Sequence, residues 1–452
     1  MINLPLKIPA GIIAATLLVA GLATAQDASQ DAAQPVPKRT LITNALIFDG
    51  TSDALTAPMS VLVEGDKIKQ IAGSIDAPDG ATVIDANGRT LSPGFNACHE
   101  HVTFQMNSIE LLLGDTRYQT ARATDTVRTY LMNGYTSVRE AAGNTFGLKR
   151  AIDEGYVVGP RIFPSGPMIS QTGGHADHRR FDWPEAAGGV PDMAVRNFDM
   201  AVVDGVPEVL KAVREALRMG ATQIKIAVGG GSGSYADPLG VVEFTPEEIQ
   251  AATQAAADYQ TYVMAHVYNT AGIRRAIDNG VKSIEHGNLV DEPTLQLMKD
   301  KDIWLCAQVI VYTMIPNGYT PDQAAKHREA YAGIDNMFTV AKKIGFENIA
   351  FGFDIITDPD VVKRQNDEFV LRTKWFDNAE ILRQATSKSG ALIGMSNRFN
   401  PGKIGVIEEG ALADILLING DPLQDISILT DPEANLALIM KGGEIFKNTV
   451  SE

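Results

Sequence analysis

The sequence predicts an α/β protein: a (β/α)8 TIM barrel with a small β-sandwich domain built from both ends of the mature chain. Three observations carry this. Between residues 91 and 395, eight short apolar runs alternate with helical patterns, as parallel strands with helical crossovers require. Residues 40–90 and the stretch after 400 instead alternate apolar with polar and are broken by Gly, Asn and Asp, the pattern of half-buried strands. The 452 residues are 45% apolar and 21% charged, ordinary globular values, and enough chain for one barrel and a companion.

From the N-terminus, Lys7 precedes an apolar run from Ile8 to Leu22 and the small-x-small pattern Ala23-Thr24-Ala25. This reads as a signal peptide over 1–25, so an exported, periplasmic or secreted protein is expected, with no membrane span after cleavage. Residues 26–38 (QDASQDAAQPVPK) read as a flexible leader. Residues 39–90 with 396–452 then form the sandwich, and 91–395 the barrel.

The eight expected barrel strands are 91–102, 135–142, 161–169, 223–228, 262–267, 283–288, 304–310 and 348–354. Between them, Thr245-Pro246-Glu247-Glu248 is a capping box with proline at the first helical position. AGIRRAIDNG and DEPTLQLMKDK also read as helices. An open dinucleotide-binding sheet is disfavoured, because Gly229-Gly230-Gly231-Ser232-Gly233 lacks the third glycine of that fingerprint. The glycine run is read as a flexible loop over the barrel mouth.

The net charge of -16 excludes a nucleic-acid partner, since neutralising phosphates needs clustered Lys and Arg. Two cysteines, Cys98 and Cys306, lie in apolar strand segments and read as buried thiols.

The chain has seven histidines. Four fall at the C-terminal ends of expected strands, where barrel active sites lie. His99 and His101 are two apart, so strand alternation turns both to one face, and two inward imidazoles suit a divalent metal. His266 ends the fifth strand, His286 the sixth, and Asp354 the eighth. Lys225 sits inside the fourth strand between Ile224 and Ile226, where an ammonium would be desolvated and repelled by metal. Carboxylation by carbon dioxide would convert it to an anion able to bridge two metals. His178 and His327 are read as solvated. By alternation Glu100 points outward, towards a buried partner.

With these residues in place the chain resembles the amidohydrolase superfamily over nearly all of its mature length. The HxH at 99–101 and the GxIxxGxxADxxxxxxDPL pattern at 405–423 carry the likeness. The segments VDGVPEVLKAVREALRMGATQIKI (203–226), HVYNTAGIRRAIDNGVKSIEHG (266–287) and SQTGGHADHR (170–179) resemble the imidazolonepropionase-like branch, which contains Xaa-Pro-type dipeptidases and related carboxypeptidases. The resemblance implies two divalent metals, usually zinc: one on His99, His101 and Asp354, the other on His266 and His286, bridged by carboxylated Lys225. It also implies that His175 contacts the substrate carbonyl and Tyr268 the substrate α-carboxylate. Two departures bear on the pocket. Ala97 stands where the family usually has an acid, and Ile355-Ile356-Thr357-Asp358 replaces a small polar run.

The expected chemistry follows. Paired metals bring the pKa of a shared water towards neutrality. Asp354 takes its proton and passes it to the leaving amine, and His175 stabilises the oxyanion. The expected substrate is a small-molecule amide or dipeptide whose leaving group is an amino acid. Ochratoxin-type amides, cleaved by some relatives of this branch, fit. A lactonase or esterase on the same metals is the alternative. A mononuclear deaminase is disfavoured, since such enzymes typically lack the strand-four lysine. A homo-oligomer is expected.

Overall fold

The computed structural model of this protein describes residues 37–107, 110–111, 114–179, 193–400 and 402–450. The expected signal peptide and all but the end of the leader lie outside the described residues. Among those described, no helix is long and apolar enough to cross a membrane.

The chain opens with β1 (Arg39–Ile47), β2 (Met59–Glu64), β3 (Lys67–Ala72), β4 (Thr82–Asp85) and β5 (Thr90–Pro93). A parallel series follows: β6 (Phe95–Glu100), β7 (Tyr135–Glu140), β8 (Arg161–Phe163), β9 (Met168–Ser170), β10 (Met200–Val202), β11 (Ile224–Ala227), β12 (Val263–Asn269), β13 (Ser283–Leu289), β14 (Trp304–Cys306) and β15 (Ile349–Ala350). The last three are β16 (Ile415–Ile418), β17 (Leu436–Lys441) and β18 (Glu444–Asn448).

Both ends of the described chain share one eight-stranded sheet, in the order β18-β17-β16-β5-β1-β2-β3 with β4 on β1. β1 serves both halves: residues Thr40–Thr43 pair with β4, and Leu46 and Ile47 pair with β5. The change of partner falls at a register shift between Ile42 and Ala45, where Asn44 has φ 53°. A left-handed residue is what a bulge of this kind needs to re-aim a strand. Ile42, Ala45 and Ile47 pack there with Val61, Ile415, Leu417 and Leu438 in one core.

The expected first barrel strand, 91–102, divides. β5 stays with the terminal sheet and β6 begins the parallel series. The break is at Gly94, where a Cβ would lie 2.2 Å from Thr136 Oγ1. The expected third strand divides as well, into β8 and β9, and β9 pairs with β11. The parallel strands form a three-stranded group, β6-β7-β8, and a seven-stranded group, β10-β9-β11-β12-β13-β14-β15. Backbone hydrogen bonds link the two groups in two places. Cys98 N–H donates to Phe351 O at 2.7 Å and Asp354 N–H to His99 O at 3.0 Å; Thr222 N–H donates to Pro164 O at 2.8 Å.

The crossover helices carry the expected signals. Thr245 and Glu248 form the capping box of helix Pro246–Asp258, and Asp291 caps helix Glu292–Asp300. Cys98 and Cys306 are free and buried, as expected.

Candidate metal centre

All six residues of the expected ligand set come together. The His99 ring centroid lies 5.4 Å from that of His101 and 4.8 Å from that of His286, and His266 is 4.5 Å from His286. Asp354 Oδ1 is 3.2 Å from His101 Nε2 and 3.5 Å from His99 Nε2. Lys225 Nζ is 3.4 Å from His99 Nε2. His99, His286 and Asp354 are close enough to share one ion.

The strands place these groups unevenly. His99 and His101 sit at the end of β6 and turn inward, while Glu100 between them turns out. There it accepts Tyr130 O–H at 2.6 Å and Phe353 N–H at 3.0 Å, which supplies the buried partner its position called for. His266 and His286 lie within β12 and β13, not at their ends. Register sets His266 opposite Glu285, and Val267 opposite His286. Simple alternation would therefore turn Glu285 inward and His286 out. The left-handed backbone of His286, φ 72°, brings its ring back to the cluster, and Asp354 is left-handed too, φ 54°. Such conformations are costly for residues with a Cβ and collect at functional sites.

The protonation pattern asks for a cation. His99 Nδ1 donates to Glu285 Oε2 at 2.7 Å and His101 Nδ1 to Ala142 O at 3.2 Å. When such a ring is neutral, its Nε2 is a bare lone pair. Both lone pairs face the Asp354 carboxylate, which offers only acceptors. Burial and the Lys225 ammonium push His99 down to about 4, so its ring stays neutral at pH 7. Burial alone would raise Asp354, but His99, His101 and His286 hold it below the usual carboxylate range. Where both rings are neutral, acceptors converge on acceptors, and a divalent metal between them would resolve that conflict.

Buried charges support the cluster. Glu285 accepts two hydrogen bonds from Arg139, at 2.8 and 2.9 Å, and a third from Ser283 Oγ at 2.6 Å. Burial would raise Glu285, yet Arg139 holds it well below the carboxylate range, so it stays anionic. Burial pushes Lys225 down to about 8. His286 Nδ1 meets Gln308 Oε1 at 2.9 Å and Tyr312 O–H at 3.2 Å.

Above the cluster opens a pocket with about 1270 Å³ of empty space, its mouth included. His175 lines it and stacks on His266 at 3.8 Å between centroids. Its Nδ1 is 2.9 Å from Ser234 Oγ and 3.2 Å from Asp237 Oδ2. Tyr268 lines it as well, with its hydroxyl 2.7 Å from Tyr312 O.

A model of the amidohydrolase family matches residues 90–446. The chain belongs to the amidohydrolase family. An ochratoxinase of Aspergillus niger is 32% identical over 434 residues, covering 91% of this chain and 87% of that one. Among solved structures, a prolidase complexed with N-methylphosphonate-L-proline has 33% identity and a TM-score of 0.84, covering 91% of this chain and all of that one. A Xaa-Pro dipeptidase with bound methionine has 29% identity and a TM-score of 0.78, with 91% and 100% covered.

Two expectations about this amidohydrolase are corrected. His327 is not solvated: it is 1% exposed, lines the pocket, and donates from Nε2 to Val311 O at 3.1 Å. Its helix, Pro321–Ile344, is long enough to turn one face inward despite its polar sequence. The glycine run is not a loose loop over the mouth but a packed wall. Asp237 Oδ2 accepts Gly231 N–H at 2.7 Å, and a Cβ on Gly231 would lie 2.0 Å from His175 Cε1. His178 also lines the pocket and is half-buried. The sequence reading passed over Glu285, Arg139, Gln308 and Tyr312. Of these, only Glu285 carried a signal, its even spacing from the inward Ser283 in an apolar strand.

Proposed function

We propose that this amidohydrolase is a metal-dependent hydrolase of an amide or peptide bond whose leaving group is an amino acid, as in a dipeptide, an N-acyl amino acid or an ochratoxin-like amide. One observation carries the reading: imidazole lone pairs and the Asp354 carboxylate converge at 3.2–3.5 Å beneath a pocket, in a chain similar to an ochratoxinase and to prolidases.

His99, His101 and Asp354 would hold one divalent metal, and His266 and His286 a second, with zinc the expected ion. Bound metal would supply an acidified water and polarise the scissile carbonyl. Lys225 is buried among these residues, and its depressed basicity enlarges the share of free amine at Nζ. Reaction of that amine with carbon dioxide would place a carboxylate between the two ligand groups.

The chain's own groups do the rest. Asp354 takes the proton of the attacking water on a carboxylate oxygen and delivers it to the departing nitrogen. His175, held at Nδ1 by Asp237 and Ser234, presents Nε2 to the substrate; protonated there, it donates to the carbonyl oxygen as charge builds. The bonds from Cys98 to Phe351 and from Thr222 to Pro164 support a closed barrel around these groups.

The test is metal analysis of purified protein followed by a screen of Xaa-amino-acid dipeptides and N-acyl amino acids, reading free amino acid. Protein that binds zinc and releases amino acid is expected. Protein with less than one metal per chain, or release from esters and lactones only, overturns the reading.

A further inference from the structure

His175 reaches the pocket from a tight turn, and a carboxyl that does not itself line the pocket holds that turn. Glu243 is wholly buried. Its backbone N–H donates to Val228 O at 2.9 Å, just past the end of β11. From there the side chain spans to the segment after β9. Oε1 accepts His175 N–H at 2.9 Å, and Oε2 accepts the Ser170 hydroxyl at 2.8 Å. Ser170 closes β9, which pairs with β11, so one carboxyl ties both ends of the turn 170–175 to the neighbouring strand's extension.

Gly174 makes room for this contact. A Cβ there would lie 2.3 Å from Glu243 Oε2 and 2.3 Å from Ser170 Oγ. Beside it, Gln171 Oε1 accepts Phe244 N–H at 2.6 Å, so a second bond joins the turn to the same segment. The backbone and the ring of His175 are thus held by different groups. Ser234 and Asp237 at Nδ1, with the stack on His266, orient the ring. The bond to Glu243 holds the backbone from which the ring projects.

Both constraints bear on rate. A donor stabilises a developing oxyanion only at hydrogen-bond distance, and a misplacement of about 1 Å can cost about a hundredfold. Burial pushes the Glu243 carboxyl up to about 8, and Asp237 adds to the rise. At pH 7 the group is therefore mostly neutral. It holds the turn by hydrogen bonding, not by charge, and an amide of the same shape can make the same contacts.

We propose that Glu243 is a positioning residue for the hydrolysis: through the backbone of His175 it sets where His175 Nε2 meets the substrate carbonyl. This inference rests on the amidase reading above, in which His175 stabilises the charge that builds on the carbonyl oxygen.

The experiment measures kcat and KM for N-benzoyl-phenylalanine, together with zinc content, on zinc-loaded protein. Glu243→Ala should lower kcat about tenfold or more, with KM within about threefold of wild type and zinc content unchanged. Glu243→Gln keeps an oxygen for His175 N–H and offers an amide to Ser170 Oγ, so it should recover most of the loss. Glu243→Asp keeps the acid but falls short of the turn; it should resemble Glu243→Ala, and carries the test if the alanine variant does not fold. In a His175→Ala background, Glu243→Ala should cost less than about twofold more, because no ring is left to place. The inference is overturned if the two losses multiply, if Glu243→Gln loses as much as Glu243→Ala, or if zinc is lost along with turnover. A second readout needs no turnover: the ring-nitrogen NMR signal of His175 in histidine-labelled, zinc-loaded protein, assigned by its loss in His175→Ala. It should move in Glu243→Ala and return in Glu243→Gln, and an unmoved signal also overturns the inference. If the amide is not hydrolysed yet the signal moves and returns in this way, the positioning stands and the amidase reading fails.

Discussion

His99 Nδ1 and Glu285 Oε2 are 2.7 Å apart, with both side chains buried and Arg139 bound to the far edge of the carboxylate. The contact fixes which imidazole nitrogen is bare, and so aims His99 Nε2 at the cluster. Glu285→Gln should keep the shape but lose the charge that makes the ring a strong ligand. Metal affinity should fall by about 10–100-fold in chelator competition. Affinity within a factor of two of wild type would remove Glu285 from this role. The variant also leaves Arg139 buried without its partner, so a loss of about 3–5 kcal/mol in urea unfolding is expected alongside.

Lys225 should matter through its nitrogen. Lys225→Ala should abolish metal occupancy and activity together. In wild type grown with labelled carbon dioxide, a carbamate carbon should be visible by NMR once metal is bound. Full activity in the alanine variant would sink the bridging role.

Asp354→Asn keeps an oxygen for metal and loses the proton carrier. A fall in kcat of about 10²–10⁴ is expected, larger than any loss of metal content. Activity within tenfold of wild type at full metal occupancy would assign the proton transfer elsewhere.

Gly231 gives His175 its place. Because a Cβ there would lie 2.0 Å from the imidazole, Gly231→Ala should push the ring off its stack on His266. Turnover should drop about tenfold or more while zinc content holds. Unchanged turnover would show that His175 does not touch the reacting carbonyl.

Glu243 predicts a pH dependence of stability. Burial pushes its carboxyl up to about 8, although Ser170 Oγ and His175 N–H both donate to it. In the unfolded chain the group ionises near about 4.3. The folded state therefore holds the proton more tightly. Its contribution is fully present below about pH 4.3 and is lost as pH rises towards 8. Glu243→Gln should not suffer that loss. Relative to wild type, its urea midpoint should climb between pH 5 and 8, by the equivalent of roughly 2–4 kcal/mol. Parallel midpoints across that range would contradict a raised Glu243.

Much of this protein was legible along the chain. Apolar runs separated by helical patterns specify parallel strands, because periodicity is a local property of the sequence. The HxH pair, a lysine inside an apolar strand and an aspartate after one are anomalous wherever they occur, so the residues that cluster here could be named without coordinates. Tertiary structure alone decided how these residues meet. The left-handed turn at His286 reverses the face that alternation assigns, and no local pattern announces it. Glu285, Arg139 and Gln308 act through contacts across strands, and Arg139 lies 146 residues from the carboxylate it binds. His327 sits on a helix whose composition reads as solvated, and it is buried because the glycine-rich loop and the turn after β14 pack over it. Local periodicity fixes which elements form, but burial and partnership depend on what those elements meet, and that is settled only when distant segments pack.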